Sequence, residues 1–324
     1  MTAAVFAAAS FLACGGLEED SPGDEIQAVD NLTGGGYVAT DGSLNYAFKS
    51  VVLMATWTSS GWRQQCTAAR VGPNVLLTAA HCVTGSLSAY YAPGKFIGLS
   101  ASRSPDPSTY ISYMVKSVQT TGPSFMTDYP GYNGILLAPY GSDLAVIKVT
   151  TNLPSTIRTA TVETRAVVDD EPVVILGYGC ENGYYSSNAP RLKYALTKKL
   201  KASASSEVQA AFNEMGSAWT SGTNDWSAVA KNYLATPGYR YSEAKGTATP
   251  ASVCPGDSGG PVFAARSGIN WKNQDIIVGV NSFMWWSWPD EYAGDRMGRV
   301  NGHANVSLSA AVSFLRTVGG VSLR

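Results

Sequence analysis

The chain has 324 residues, 45% of them apolar and only 15% charged, with a formal net charge of −1. The absence of a basic excess argues against nucleic-acid binding, and no apolar run is long enough to cross a bilayer as a helix. With 33 glycines and 17 tyrosines, the composition fits a turn-rich β protein better than a helical bundle.

Residues Thr2 to Ala13 are nearly all small or apolar and run into Phe11-Leu12-Ala13-Cys14-Gly15-Gly16. This is the pattern of a secretory signal over residues 1–13, which stands outside the fold. The junction resembles a bacterial lipobox, with Cys14 as the lipidated amino end; an ordinary cleaved signal is the alternative. The chain holds five cysteines, Cys14, Cys66, Cys82, Cys180 and Cys254, and the odd count sets Cys14 apart. Residues 14–31 are acidic and contain Ser, Pro and Gly, so they read as a flexible tether or pro-segment. The expected location is the bacterial cell envelope, as an outer-membrane lipoprotein, or the extracellular space. Membrane contact would come only through a lipid at Cys14.

From Tyr46 onward, short β-prone runs alternate with turn residues. They are Ser50 to Met54, Asn74 to Thr78, Leu144 to Val149, Pro172 to Leu176 and Asp275 to Val280. Many short strands with Gly- and Pro-rich turns predict an all-β barrel or sandwich. Helical spacing occurs in two places. Val208, Ala211 and Phe212 share a face within Ser205 to Met215, and Ala311, Val312, Leu315 and Val318 recur within Ser309 to Val318.

The chemistry begins at Cys254-Pro255-Gly256-Asp257-Ser258-Gly259-Gly260-Pro261-Val262. A Ser among this many glycines sits on a backbone able to turn successive N–H groups into one spot. Attack on an amide needs such a spot, because the tetrahedral intermediate places negative charge on oxygen. A Ser hydroxyl also needs a base. Of the two histidines, His81 follows the apolar run Leu76-Leu77-Thr78-Ala79-Ala80, whereas His303 lies in a polar stretch with nothing evident to orient it. A carboxylate must then hold the imidazole tautomer, and Asp143 stands at the mouth of Leu144-Ala145-Val146-Ile147.

These three strings, in the order His, Asp, Ser, resemble the trypsin/chymotrypsin family of serine peptidases from about Leu32 to the end of the chain. The resemblance implies a peptidase domain over residues 32–324. Its fold would be two antiparallel six-stranded β-barrels with the active site in the cleft between them, plus a C-terminal helix. It also implies that His81 is general base, Asp143 its orienter and Ser258 the nucleophile. Gly256 and Ser258 would supply the oxyanion hole, and Ser282 would lie on the strand that binds substrate backbone. The disulfide Cys66–Cys82 resembles the family's bridge beside the catalytic His. Cys180 is at no usual family position, but the family's loop there passes close to the place of Cys254, which implies a bridge Cys180–Cys254. Ser252 would lie at the base of the specificity pocket and Met284 on its wall. Ser252 disfavours cleavage after Arg or Lys, and Met284 makes the pocket either shallow or, swung aside, deep. Asp257 would pair with an amino terminus released by cleavage, but no Lys or Arg precedes Lys49, so a tryptic cut near Leu32 is excluded. The long spacings imply enlarged loops, including about 205–241. The expected activity is that of an exported serine endopeptidase acting on protein or peptide substrates without metal or other cofactor. The alternative is a catalytically silent, surface-tethered binding protein on a peptidase scaffold, with an esterase more distant. Nothing in the sequence indicates an oligomeric state.

Overall fold

The structure is a computed structural model describing residues 36–37, 48–121, 143–179, 190–200, 233–238, 253–254, 256–269, 274–285 and 300–324. The short strand β1 (Gly36–Tyr37) belongs to the second of two sheets. Six strands then form the first: β2 (Val51–Thr58), β3 (Gly61–Gly72), β4 (Val75–Thr78), β5 (Phe96–Ser100), β6 (Ile111–Thr120) and β7 (Ala145–Val149). They close a barrel in the order β2-β3-β4-β7-β6-β5. β2 and β4 are apolar on both faces and buried along most of their length, as expected of strands that face a barrel interior on one side and a packed layer on the other.

The second sheet contains β8 (Thr161–Val162), β9 (Pro172–Gly177), β10 (Lys193–Lys198), β11 (Tyr233–Pro237), β12 (Pro261–Ala264), β13 (Ile276–Trp285) and β14 (Val300–Asn305). Its order is β1-β10-β9-β12-β13-β14-β11, with β8 added in parallel beside β13. The expected all-β, two-lobed architecture is present, and each of the five runs read as strands lies largely within one. The second lobe is a curled half-barrel, in which two-residue β1 forms one end of the described ladder.

Helix α1 (Ser309–Val318) occupies the segment whose periodicity predicts it and buries Ala311, Leu315 and Val318. Its last turn receives the ammonium of Lys148, whose Nζ donates to Val318 O at 2.6 Å, a favourable charge for a helix C-terminus. The main apolar core fills the barrel and extends to α1 and to one side of the half-barrel, including Leu176, Phe263 and Val280. A smaller cluster around Val173, Ile175, Val262 and Val278 fills the half-barrel itself. The helix expected over 205–215 and the leader and tether over 1–31 lie outside the described residues.

Candidate active site

The pairing of β4 with β7 brings the first two polar residues together. Thr78 is opposite Ala145 in that antiparallel ladder, so the residues just past β4 and just before β7 emerge at one end of the barrel. His81 lies three residues beyond Thr78, on the 3-10 turn Ala80–Cys82, and Asp143 two residues before Ala145. His81 Nδ1 is 2.6 Å from Asp143 Oδ2, and the His81 backbone N–H donates to Asp143 Oδ1 at 2.9 Å. Ser282 Oγ donates to Asp143 Oδ2 at 2.6 Å. The Asp143 side chain is fully buried, and the imidazole retains 13% exposure.

Burial disfavours charge on both groups, but their mutual attraction outweighs it. The imidazole is left above its ordinary value by the charge and hydrogen bond of Asp143. The carboxyl is held below its own by His81, helped by Ser282 Oγ and the His81 N–H. A carboxylate bonded at Nδ1 fixes the proton there and leaves Nε2 with a lone pair. The disulfide Cys66–Cys82 has a Cα separation of 6.2 Å and ties β3 to the His81 turn. The two sulfurs lie beside the imidazole, but their mutual bond leaves no thiolate for a metal.

Ser258 is clamped against this corner from both sides. On the barrel side, Thr67 N donates to Ser258 O at 2.8 Å and Thr67 Oγ1 donates to Gly256 O at 2.8 Å. Thr67 O in turn accepts from Thr78 Oγ1 at 2.9 Å. On the sheet side, Gly259 N donates to Asn281 O at 2.8 Å and Asn281 N to Gly260 O at 2.7 Å. Asn281 Nδ2 reaches Asp257 O at 3.2 Å, and the next residue, Ser282, is the one bonded to Asp143. Gly259 has φ +81°, and a Cβ there would lie 2.0 Å from Thr78 Oγ1 and 2.3 Å from Thr67 O. Only glycine fits that backbone between the two lobes.

The N–H groups of this loop divide in two. Those of Asp257, Gly259 and Gly260 are taken by Cys254 O, Asn281 O and Asp257 O. Those of Gly256 and Ser258, the two predicted oxyanion donors, have no hydrogen-bond acceptor among the described residues. Gly256 has φ +98°, a conformation that L side chains rarely adopt. The sequence places the Ser258 hydroxyl on His81; the structure brings the two residues to one corner, with no hydrogen bond between hydroxyl and imidazole among the described residues.

The remaining predicted residues divide as follows. Ser252 and Cys180 lie outside the described residues. Cys254 is disulfide-bonded, to a partner outside them. Met284 is placed on β13 opposite Asn301 of β14. His303 corrects the sequence reading, which found nothing to orient it. It lies on β14, fully buried, with Nδ1 2.9 Å from Asn281 Oδ1 and Nε2 2.9 Å from Thr236 Oγ1. Asn301 Oδ1 continues this network to Val253 N at 2.8 Å. Burial pushes the His303 imidazole down to about 3, so it is neutral and structural. Sequence reasoning also missed Thr67, Asn281 and the bond from Ser282 to Asp143. Their one signal was adjacency: Thr67 follows a predicted bridge cysteine, and Asn281 precedes a predicted substrate-strand residue.

Comparison with known proteins gives a consistent result. The family model described as Trypsin matches residues 42–293. Among solved structures, the chain is similar to neuropsin, a serine protease expressed in the limbic system of mouse brain. That likeness has a TM-score of 0.53 at 14% identity, covering 85% of this chain and 96% of the other. It is also similar to a scabies mite inactivated protease paralogue, with a TM-score of 0.54 at 16% identity, covering 88% and 98%. At these identities the likeness concerns the fold. No curated protein matches the chain.

Proposed function

Because the chain belongs to the Trypsin family, we propose that it is an exported serine endopeptidase with His81, Asp143 and Ser258 as its triad. One observation carries this reading: the buried Asp143–His81 pair meets the Ser258 loop at one corner, and the N–H groups of Gly256 and Ser258 in that loop have no acceptor among the described residues. In the proposed reaction, Ser258 Oγ bonds to the scissile carbonyl carbon as its proton passes to His81 Nε2. The imidazolium is stabilised by Asp143. The N–H groups of Gly256 and Ser258 receive the oxyanion, each such donor being worth roughly 3–4 kcal/mol of barrier. His81 then gives its proton to the leaving amine as the C–N bond breaks, and water releases the acyl group by the same steps. The Ser258–His81 hydrogen bond forms on substrate binding, since catalytic hydrogen bonds often tighten only in the complex.

Ser282, whose hydroxyl is occupied by Asp143, orients the carboxylate and offers its strand to substrate. Ser252 and Met284 shape a pocket that disfavours Arg and Lys. Cys180 is the proposed partner of Cys254, and Cys14 the proposed lipid-bearing amino end.

A silent binding scaffold is the second reading. The likeness to a scabies mite inactivated protease paralogue favours it. A fluorophosphonate probe separates the two. Covalent labelling of the chain that disappears in Ser258→Ala supports the peptidase; no labelling, with peptides still bound, supports the scaffold.

A further inference from the structure

Lys193 opens β10 and is fully buried. A buried ammonium needs a nearby negative charge and saturated hydrogen bonds to be tolerated. Its Nζ donates to Gly179 O at 2.7 Å. The N–H of the same residue donates to Asp257 Oδ1 at 2.7 Å, and Asp257 Oδ2 accepts from Cys254 N at 2.9 Å. The buried cation and the buried carboxylate thus sit at the two ends of one residue's peptide groups. There is no slack around the carboxylate: a Cβ at Gly177 would lie 2.1 Å from its Oδ1, and one at Gly179 2.5 Å from its Cγ.

Asp257 stands between Gly256 and Ser258, whose N–H groups have no acceptor among the described residues. Where its side chain docks therefore fixes where those two N–H groups point. Burial pushes the Asp257 carboxyl up to about 6, and the charge of Lys193 is the chief influence holding it down, followed by the N–H groups of Gly179 and Cys254. Among the described residues, the uncharged groups packed here are Gln64 and Thr67 from β3, Asn281 from β13 and the Tyr178 phenol, and the nearby cation beside that phenol is Arg103.

We propose that Lys193 is a positioning residue for catalysis: its buried ammonium keeps the Asp257 carboxylate docked on Gly179, and so holds the N–H groups of Gly256 and Ser258 in register. Lys193 stands in for the amino terminus that the sequence reading expected to be released by cleavage. The intact chain is then competent without a cut near Leu32. This rests on the peptidase reading above.

The test uses the full, uncut chain and follows kcat and KM for a peptide substrate from pH 5 to 10. Lys193→Met should lower kcat at pH 7 more than tenfold with a smaller change in KM. The acid limb of its kcat profile should move up by at least one pH unit, and Lys193→Arg should recover part of both. In an Asp257→Asn background, Lys193→Met should have no further effect on kcat. A folded Lys193→Met variant with wild-type kcat and acid limb overturns the proposal, as do independent, multiplying effects of the two substitutions. If Lys193→Met does not fold, the Lys193→Met/Asp257→Asn double variant is examined by circular dichroism. Recovery of folding supports the charge pairing, and failure of both to fold overturns it in favour of a packing role. A wild-type chain that neither hydrolyses peptides nor labels with fluorophosphonate defeats the peptidase reading instead, while the folding comparison still reads the Lys193–Asp257 pair.

Discussion

The barrel that carries His81 and Asp143 and the half-barrel that carries Ser258 hold their shares of the site by different means. Between Ser50 and Thr150, the buried polar side chains among the described residues are hydroxyls plus one carboxylate, that of Asp143. The half-barrel buries Lys193, Asp257, Asn281, Ser282, Asn301, His303 and Thr236, in addition to Glu163, Glu171 and Asp275. The difference follows from what each lobe must fix. His81 and Asp143 are side chains at the ends of apolar strands, and strand register alone brings them together. The Ser258 loop instead presents backbone N–H groups on a glycine-rich segment, whose conformational freedom has to be removed by external bonds. Buried polar side chains supply those bonds, each at a desolvation cost that a complete network offsets.

The sharpest division between the lobes is between chemistry and folding. Ser258→Ala and His81→Ala should each lower kcat/KM for peptide hydrolysis by at least about 10⁴-fold. Ser258→Ala should leave the urea midpoint nearly unchanged, whereas His81→Ala should lower it, because the buried Asp143 carboxylate loses the imidazole bonded to it at 2.6 Å. Unchanged hydrolysis in either variant would remove both from the triad.

Two glycines with similar backbone angles test whether the clamp around the loop is specific. Gly259 has φ +81° and is enclosed by Thr78 and Thr67; Gly94 of the barrel lobe has φ +84° with nothing within 4 Å of a Cβ. Gly94→Ala should cost only the left-handed backbone penalty, about 1–2 kcal/mol. Gly259→Ala adds overpacking between two lobes, for a total of roughly 3–5 kcal/mol, and should abolish hydrolysis. Equal losses of stability in chemical denaturation would mean that the loop is no more tightly held than an open turn. The bridge Cys66–Cys82, whose ends are 16 positions apart, should be worth about 3 kcal/mol on loop-closure grounds. Its replacement by two alanines should act on stability more than on kcat, since His81 remains bonded to Asp143.

The same contrast explains what the sequence disclosed. The barrel's half was readable because apolar strands advertise themselves, and His81 and Asp143 stand where such runs begin and end. The Gly-rich string around Ser258 was equally plain. What supports that string was not. Val300-Asn301-Gly302-His303-Ala304-Asn305 has the composition of a loop, yet it forms β14, buried through hydrogen bonds rather than apolar contacts. Hydropathy cannot distinguish a polar segment facing water from one whose partners lie 22 to 67 positions away. Lys193 was invisible for the same reason, a charged residue in Leu192-Lys193-Tyr194 giving no hint of burial.

A further expected effect concerns pH, and it separates two groups within the half-barrel. The unfolded chain protonates His303 near 6.5, while the folded protein resists until about 3. Below pH 6.5 the unfolded state therefore binds an extra proton, and stability falls on acidification by about 1.4 kcal/mol per pH unit. Asp257 works in the opposite direction. Its carboxyl titrates at about 6 when folded and 3.8 when unfolded, so between those values the folded state binds the extra proton and stability rises on acidification. Between pH 6 and 4 the two slopes oppose each other, and neither shows in the wild-type profile. His303→Asn removes one of them. The variant should be less stable than wild type at pH 7.5, where it has lost the bonds to Asn281 and Thr236. The gap should narrow by about 2 kcal/mol at pH 5, because only the wild type now bears the cost of a histidine that cannot charge. Taking the difference between the two proteins cancels His81 and Asp143, which are common to both. Urea unfolding at the two pH values measures the gap directly; a gap that stays constant would mean that His303 protonates as freely in the folded protein as in water, and that the buried network does not hold it neutral.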